Sequence, residues 1–248
     1  MTQFHAITQF SNPGLHVWRE GTNTSLDLLP STPRDESGQV TFEYEFEPGE
    51  REVRFMLFNY KDNKPGQYEN DAHQRVLPRK TDSSFLEGVW FVQGAGRVLD
   101  RDPKSASRKT LKVHLISKSR YRPSEFYLWE PATGDGRRVK LMADDHLGPV
   151  FDIQLTGKEQ SSFCFKFIRR NEANGSFELF EPDFANRIWS AHDGTEIWVH
   201  SETAEFTMAE PQKKKLRVHY RQEFDSPPKM HFWQQNSERI GIEPLLTS

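Results

Sequence analysis

The chain has 248 residues, enough for one or two domains, and a formal net charge of −3. That charge gives no argument for a nucleic acid or an anionic membrane as the main partner. The one cysteine, Cys164, excludes an internal disulfide framework and a cysteine zinc site. No apolar run approaches the ~20 residues that cross a bilayer.

The N-terminal residues MTQFHAITQF lack the basic start and the apolar core of a secretory signal. The sequence therefore predicts a soluble protein whose compartment stays open: cytoplasmic as it stands, extracellular if these residues belong to a secreted enzyme. We expect a monomer that needs no cofactor and no metal.

Strand-like patterns run along the whole chain. Residues 40–46 alternate between apolar and polar, which is the period of a strand with one wet face. The runs at 54–58 (RFMLF) and 163–168 (FCFKFI) are typical of central strands. Clusters of Gly, Pro, Asn and Asp separate these runs, and no apolar stripe of helical period extends over three turns. The pattern predicts an all-β chain of immunoglobulin-like β-sandwiches.

One motif recurs. The segment GLHVWREG around Trp18 returns as EFYLWEPA around Trp129 and as KMHFWQQN around Trp233. Each copy follows a short strand-like run, and the copies are about 100 residues apart, which predicts tandem domains. The predicted units are a domain at 1–100, a second at 108–210 and an incomplete third repeat at 211–248.

Two polar stretches, 100–110 and 201–215, are interpreted as linkers that few contacts should cross. The third repeat holds only a first strand and the Trp233 motif, and a lone two-stranded hairpin is marginal in water. We therefore favour a fragment of something longer over a hairpin that docks on the second copy or on another molecule.

The first two copies align over stretches of equal length, 59–75 and 171–187. The alignment pairs four residues of each copy: Asn59 with Asn171, Glu69 with Glu181, Asp71 with Asp183, and Arg75 with Arg187.

The order of motifs resembles a known family. A VHY-like first strand, an aromatic-x-Trp strand, a DD-x-G turn, an apolar strand with Asn and a closing DG-x-x-x-W strand occur as LRVHY (216–220), YLW (127–129), DDHLG (144–148), FIRRN (167–171) and DGTEIWV (193–199). This set is similar to carbohydrate-binding module family 41, the pullulanase-associated domain, which is often present in tandem. The resemblance covers the second copy almost entirely and the first more loosely.

The resemblance implies a β-sandwich that binds α-1,4-linked glucans such as starch, glycogen or pullulan-type chains without catalysing a reaction. Such modules are often the N-terminal part of a pullulanase-like hydrolase, so this one would target a glycoside hydrolase family 13 enzyme to its substrate. The family's platform is a pair of aromatic residues two apart on one strand. A lysine and an aspartate from a later loop assist it.

Physical chemistry supports such a platform. Residues i and i+2 of a strand face the same side, so Tyr127 and Trp129 should lie side by side, as should His16 and Trp18. An aromatic ring offers a flat apolar face on which the C–H face of a pyranose can stack. The His16 pair is the poorer platform because imidazole replaces a large ring. The loop residues expected to hydrogen-bond with sugar hydroxyls are Asn59, Lys61, Asp71, Asn171 and Asp183.

The sequence departs from the family at the loop lysine, because Glu69 and Glu181 stand near its place. Loop carboxylates of this kind are most often solvated. Three other tryptophans are assigned to the core on the general burial of this residue type: Trp90, Trp189 and Trp198.

Two other classes of function were weighed. An enzyme would need a nucleophile elbow, a phosphate-binding glycine loop or a metal pair, and none is found in the sequence. A glycosidase needs two carboxylates that flank a cleft, and small sandwiches offer little room for one. The stronger alternative is a structural or protein-interaction spacer without glycan binding. It predicts that Tyr127 and Trp129 are buried.

Overall fold

The computed structural model describes most of the first 211 residues. The described ranges are 1–19, 24–46, 50, 52–61, 64–69, 73–80, 82, 84–116, 123–170, 178–182, 185–201 and 203–211. For 169–170 and 178–180 only the backbone is described. Four predictions lie outside the described residues, namely Asp71, Asn171, Asp183 and nearly all of the third repeat at 211–248.

The described part of the chain is built from strands and short 3-10 turns, without an α-helix. The first half contains β1 (Thr2–Ile7), β2 (Pro13–Arg19), β3 (Thr24–Leu28), β4 (Gln39–Tyr44), β5 (Val53–Lys61), β6 (Lys64–Tyr68), β7 (Arg75–Val76), β8 (Gly88–Val92) and β9 (Val98–Leu99). The second half contains β10 (Thr110–Ile116), β11 (Glu125–Trp129), β12 (Gly136–Lys140), β13 (Ala143–Asp144), β14 (Pro149–Gln154), β15 (Ser162–Arg170), β16 (Glu178–Phe180), β17 (Arg187–Ser190), β18 (Glu196–His200) and β19 (Phe206–Thr207). Within these ranges no helix is long and apolar enough to span a membrane.

Each half forms two sheets, and the pairing of strands repeats from one half to the other. The first half has the orders β4-β1-β8-β9 and β3-β2-β5-β6, with β7 also paired to β5. The second half has β13-β14-β10-β18-β19 and β12-β11-β15-β16, with β17 also paired to β15. One parallel pair recurs, β1 with β8 and β10 with β18. The predicted all-β, repeated fold is confirmed, whereas the domain limits 1–100 and 108–210 stay a prediction.

The core of each half lies between its two sheets. In the first half, Phe4 and Phe42 of one sheet face Phe55 and Leu57 of the other. Each fully buried side chain of this size contributes about 1.5–3 kcal/mol of transfer free energy, so these inward positions fix which face of each strand turns inside. The second core is rich in phenylalanine, with Phe126, Phe151, Phe163, Phe165 and Phe167.

The three tryptophans assigned to the core have different surroundings. Trp189 is fully buried in the second core and Trp198 is 9% exposed, as predicted. Trp90 is only half-buried and packs against a cluster between the two halves, so its assignment to a sandwich core is wrong. A histidine stacks on each of the last two, His5 on Trp90 and His114 on Trp198.

Strand register corrects the sequence alignment in one place. The main-chain N–H of Leu57 donates to Glu69, 12 residues further on, and that of Phe167 donates to Glu181, 14 residues further on. Leu57 therefore corresponds to Phe167, and by the same register Asn59 corresponds to Arg169 rather than to Asn171. The second half therefore has two more residues than the first between the donating N–H group and the glutamate. The sequence alignment missed this difference because it compared two stretches of equal length.

The two halves pack directly against each other within one compact unit, Met1–Pro211. Arg97 donates hydrogen bonds of 2.7 and 2.6 Å to the two carboxylate oxygens of Asp193. Lys104, in the connection at 100–110, pairs with Asp35 at 3.0 Å. The expectation that few contacts cross this connection is wrong, because each half presents an apolar patch to the other. This junction cluster consists of Ile7, Val92, Ala95, Leu99, Cys164 and Ile188.

Candidate functional site

The predicted aromatic pair of the second half lies on the outer face of the sheet that contains β11. Phe126 and Leu128 are buried in the core, so the alternate residues Tyr127 and Trp129 project from the opposite side. Their ring centroids are 5.5 Å apart and their planes differ by 23°. Both side chains are half-buried. The two rings thus form one nearly parallel aromatic pair outside the core.

Gly136 allows this arrangement. It lies opposite Trp129 on β12, and a Cβ at this position would come within 2.4 Å of the Tyr127 hydroxyl. The phenol ring therefore leans over the β12 backbone and against Trp129, where no other residue would leave room for it. In the sequence, Gly136 ends TGDG (133–136), one of the clusters of Gly, Pro, Asn and Asp that separate the strand-like runs.

Charged side chains frame the pair. Lys166 lies directly opposite Tyr127 on β15, and its Nζ is 5.7 Å from the centroid of the Trp129 ring. Arg138 lies opposite Tyr127 on β12 and donates a 3.2 Å hydrogen bond to Glu125. The resemblance implies a lysine in a later loop, whereas Lys166 lies on a strand and only strand register brings it beside the rings.

One side of Trp129 meets the first half. Trp129 and Ala132 pack against the junction cluster, which includes Ile7 and Cys164. Cys164 lies opposite Trp129 on β15, and burial raises the pKa of its thiol to about 12. Trp129 therefore packs against the junction cluster on the side of its cross-strand partner Cys164.

The first half carries a different pair at the same register. His16 and Trp18 project outward between the buried Leu15 and Val17. Their ring centroids are 4.4 Å apart, but the planes differ by 74°, so the rings meet edge to face. Asp27, opposite His16 on β3, forms a hydrogen bond with His16 Nδ1. These two rings share no flat surface.

Two tyrosines complete this outer face. Tyr68 on β6 is 39% exposed and meets His16 edge to face at 5.8 Å. Phe58 contacts both Tyr60 and Tyr68, at 4.7 and 5.4 Å between centroids. Burial and the nearby charge of Asp27 raise the pKa of both tyrosines, which favours their neutral hydroxyls. No sequence signal marked Tyr68, because KPGQY in β6 shows no apolar alternation.

The remaining predicted site residues of the described chain lie near the end of β5. Asn59 Oδ1 accepts a 2.9 Å hydrogen bond from the main-chain N–H of Asn12, which ties the start of β2 to β5. Lys61 is exposed at the last position of β5. Over the described ranges no group of His, Cys, Asp or Glu is arranged to hold a metal ion.

The two glutamates found near the family's lysine position are part of the scaffold. Glu69 accepts hydrogen bonds of 2.7 and 3.1 Å from Arg75, and Glu181 accepts bonds of 2.6 and 3.0 Å from Arg187. All four side chains are almost completely buried. The expectation that loop carboxylates are solvated is wrong for this pair. The identical Glu-x5-Arg spacing in both copies was the signal that could have identified these bidentate pairs.

No protein-family model matches the chain, and no curated protein does. One similar solved structure is described as alpha-glucan binding by a streptococcal virulence factor; it is 13% identical with a TM-score of 0.28, over 84% of this chain and 97% of that one. Another is a leucine-rich repeat protein from Bacteroides thetaiotaomicron, 9% identical with a TM-score of 0.23, over 84% of this chain and 26% of that one. Similarities at these TM-scores carry no argument, so the site has to be judged on its own residues.

Proposed function

We propose that the chain binds α-1,4-linked glucans on the outer face of its second half and catalyses no reaction. The observation that carries this proposal is the nearly parallel pair of Tyr127 and Trp129 outside the core. A pyranose ring has an apolar C–H face and a rim of hydroxyls. Aromatic rings beside charged hydrogen-bonding groups complement both parts.

Each residue has a separate role in the proposal. Tyr127 and Trp129 stack against successive sugar rings, and Gly136 keeps the phenol in position. Lys166 donates hydrogen bonds to the hydroxyls at the rim of the sugars. Asp183 and Asn171 remain the predicted loop partners of this half.

The first half contributes less. Trp18 offers one half-buried ring, and we propose the exposed Tyr68 rather than His16 as its aromatic partner. Asn59, Lys61 and Asp71 remain predicted polar contacts. Because the halves pack at the junction cluster, the two faces have a fixed relation, so both add to affinity only for a polymer that reaches both. In a longer parent protein the module would hold a glycoside hydrolase family 13 domain near starch, glycogen or pullulan.

The spacer alternative expects Tyr127 and Trp129 to be buried in the core. Their position on the outer face favours glucan binding over that alternative. The two functions differ in one measurable property, because a spacer would not bind polysaccharide.

Native gel electrophoresis through glycogen or soluble starch tests the proposal, with dextran as the control polymer. We expect α-glucan to retard the chain, and the Tyr127→Ala, Trp129→Ala double variant to lose most of this retardation. A matched control is Met142→Ala, Met208→Ala, which removes two exposed apolar side chains of the same half. Equal migration of a folded wild-type chain in glycogen and dextran gels would contradict glucan binding.

A further inference from the structure

A cleft of about 660 Å³ lies between the two halves, and its lining includes Glu130, the residue that follows Trp129 in the chain. Its walls come from the first half, the connection at 100–110 and the second half. The volume is within the range of about 300–1,000 Å³ typical of small-molecule sites, which often form where domains meet.

The cleft continues the outer face of the second half. Ile7 and Ala132 line the cleft and also belong to the apolar group against which Trp129 packs. Ser162 lines it as well, and it lies on β15 two residues beyond Cys164, the partner of Trp129. Residues two apart on a strand share a face and are about 7 Å apart, so Ser162 lies roughly one sugar's length along the sheet from the residue opposite Trp129.

The lining of the cleft suits a neutral ligand with many hydroxyls. Two ion pairs stand in its walls: Lys104 with Asp35 at 3.0 Å, and Lys158 with Glu130 at 2.6 Å. Each pair is neutral overall, and Glu36 adds a negative charge to the lining, which disfavours an anionic ligand. Ammonium groups donate and carboxylates accept hydrogen bonds, and a sugar hydroxyl does both. Apolar side chains between the pairs offer contact to C–H groups.

We infer that this cleft binds further glucosyl residues of the same chain that Tyr127 and Trp129 hold. The inference rests on the proposed function, which it extends across the junction of the two halves. Because the walls come from both halves, the extension exists only while they are packed together. The consequence is a preference for longer chains that the platform alone would not produce.

Calorimetric titration with maltotriose and maltoheptaose separates the cleft from the platform. Glu36 is an exposed residue of the cleft wall, so Glu36→Trp should fill the opening without disturbing the core. We expect this variant to bind maltoheptaose about fivefold more weakly, the effect of losing one or two net hydrogen bonds, and to bind maltotriose as before. The matched control is Glu45→Trp, an exposed position about 20 Å away beyond the other end of β4.

A second variant covers the case in which the indole introduced by Glu36→Trp points away from the cleft and leaves it open. Lys104→Ala, Lys158→Ala removes the ammonium donors and should also weaken only the longer ligand. Unchanged maltoheptaose affinity in both variants would overturn the cleft and leave the platform standing. If the wild-type chain binds neither oligosaccharide, the proposed function fails, and the cleft inference with it.

Discussion

The outer faces of the two halves lie at the same strand register, but the side chains opposite their aromatic residues have opposite charges. Tyr127 lies opposite Arg138 in the second half, whereas His16 lies opposite Asp27 in the first. The second-half rings are nearly parallel, while His16 and Trp18 meet edge to face. The same backbone therefore presents a stacked aromatic pair in one copy and an edge-to-face pair in the other.

The neighbouring position sharpens the contrast. Cys164 stands opposite Trp129 and is buried under the first half, whereas Arg54 stands opposite Trp18 and pairs with Glu52 in an exposed ion pair. The half with the better ring pair is also the one that is partly covered. The repeat keeps its inward residues and its buried Glu–Arg pair, and the outward positions are where the copies differ.

The largest loss of stability should come from breaking the buried Glu–Arg ion pair that both halves contain. Removing one charge of a buried ion pair leaves the other uncompensated, so Glu181→Gln and Glu69→Gln should each lower the free energy of unfolding by about 3–5 kcal/mol. Denaturant titration measures this loss, with the exposed Glu45→Gln as the control. Losses below about 1 kcal/mol in both variants would mean that these pairs are not the common scaffold.

The contact between the two halves, against which Trp129 packs, can be weakened without changing the buried Glu–Arg pairs. Arg97→Ala removes two hydrogen bonds to Asp193, so reaction of a thiol reagent with Cys164 at pH 8 should become roughly tenfold faster. The exposed Arg101→Ala is the control. An unchanged rate would show that these bonds do not hold the halves together.

Cys164 also gives this covered face a pH dependence. Its folded pKa of about 12 exceeds the ordinary value of 9.0, so its burial stabilises fully below pH 9 and loses that contribution as the pH rises towards 12. Cys164→Ala should therefore flatten the fall in stability between pH 9 and 11. An identical slope in the two proteins would contradict this effect of burial.

The effects on glycogen binding should be the smallest, and they should differ between the two faces. We expect Tyr127→Ala, Trp129→Ala to weaken the binding of glycogen at least about tenfold, and Trp18→Ala, Tyr68→Ala about two- to threefold. The physical reason is that Tyr127 and Trp129 stack on each other with nearly parallel outer faces, whereas His16 and Trp18 meet edge to face. Affinity gels with graded glycogen measure both, and the reverse order of effects would assign the main site to the first half.

The sequence was sufficient to predict the features that depend on which residues are buried. Phe126 and Leu128 alternate with Tyr127 and Trp129, so the inward and outward faces of β11 could be predicted from the period of a strand. The continuous apolar runs at 54–58 and 163–168 likewise indicated central strands, and β5 and β15 lie in the middle of their sheets.

The rest depends on contacts between distant residues. Lys166 reaches the rings only through the register of β11 and β15, which no local pattern in the sequence marks. The junction cluster joins small apolar patches that no local pattern marks. Gly136 shows its purpose only when the Tyr127 ring lies over it.

The most direct test follows the indole N–H signals of the six tryptophans by NMR during titration with maltoheptaose. Single Trp→Phe variants assign the signals. Glucan binding on the second-half face predicts a large shift for Trp129, a smaller one for Trp18 and none for Trp189, which is fully buried in the core. A Trp129 signal that stays fixed at millimolar sugar in a folded sample would contradict the proposal.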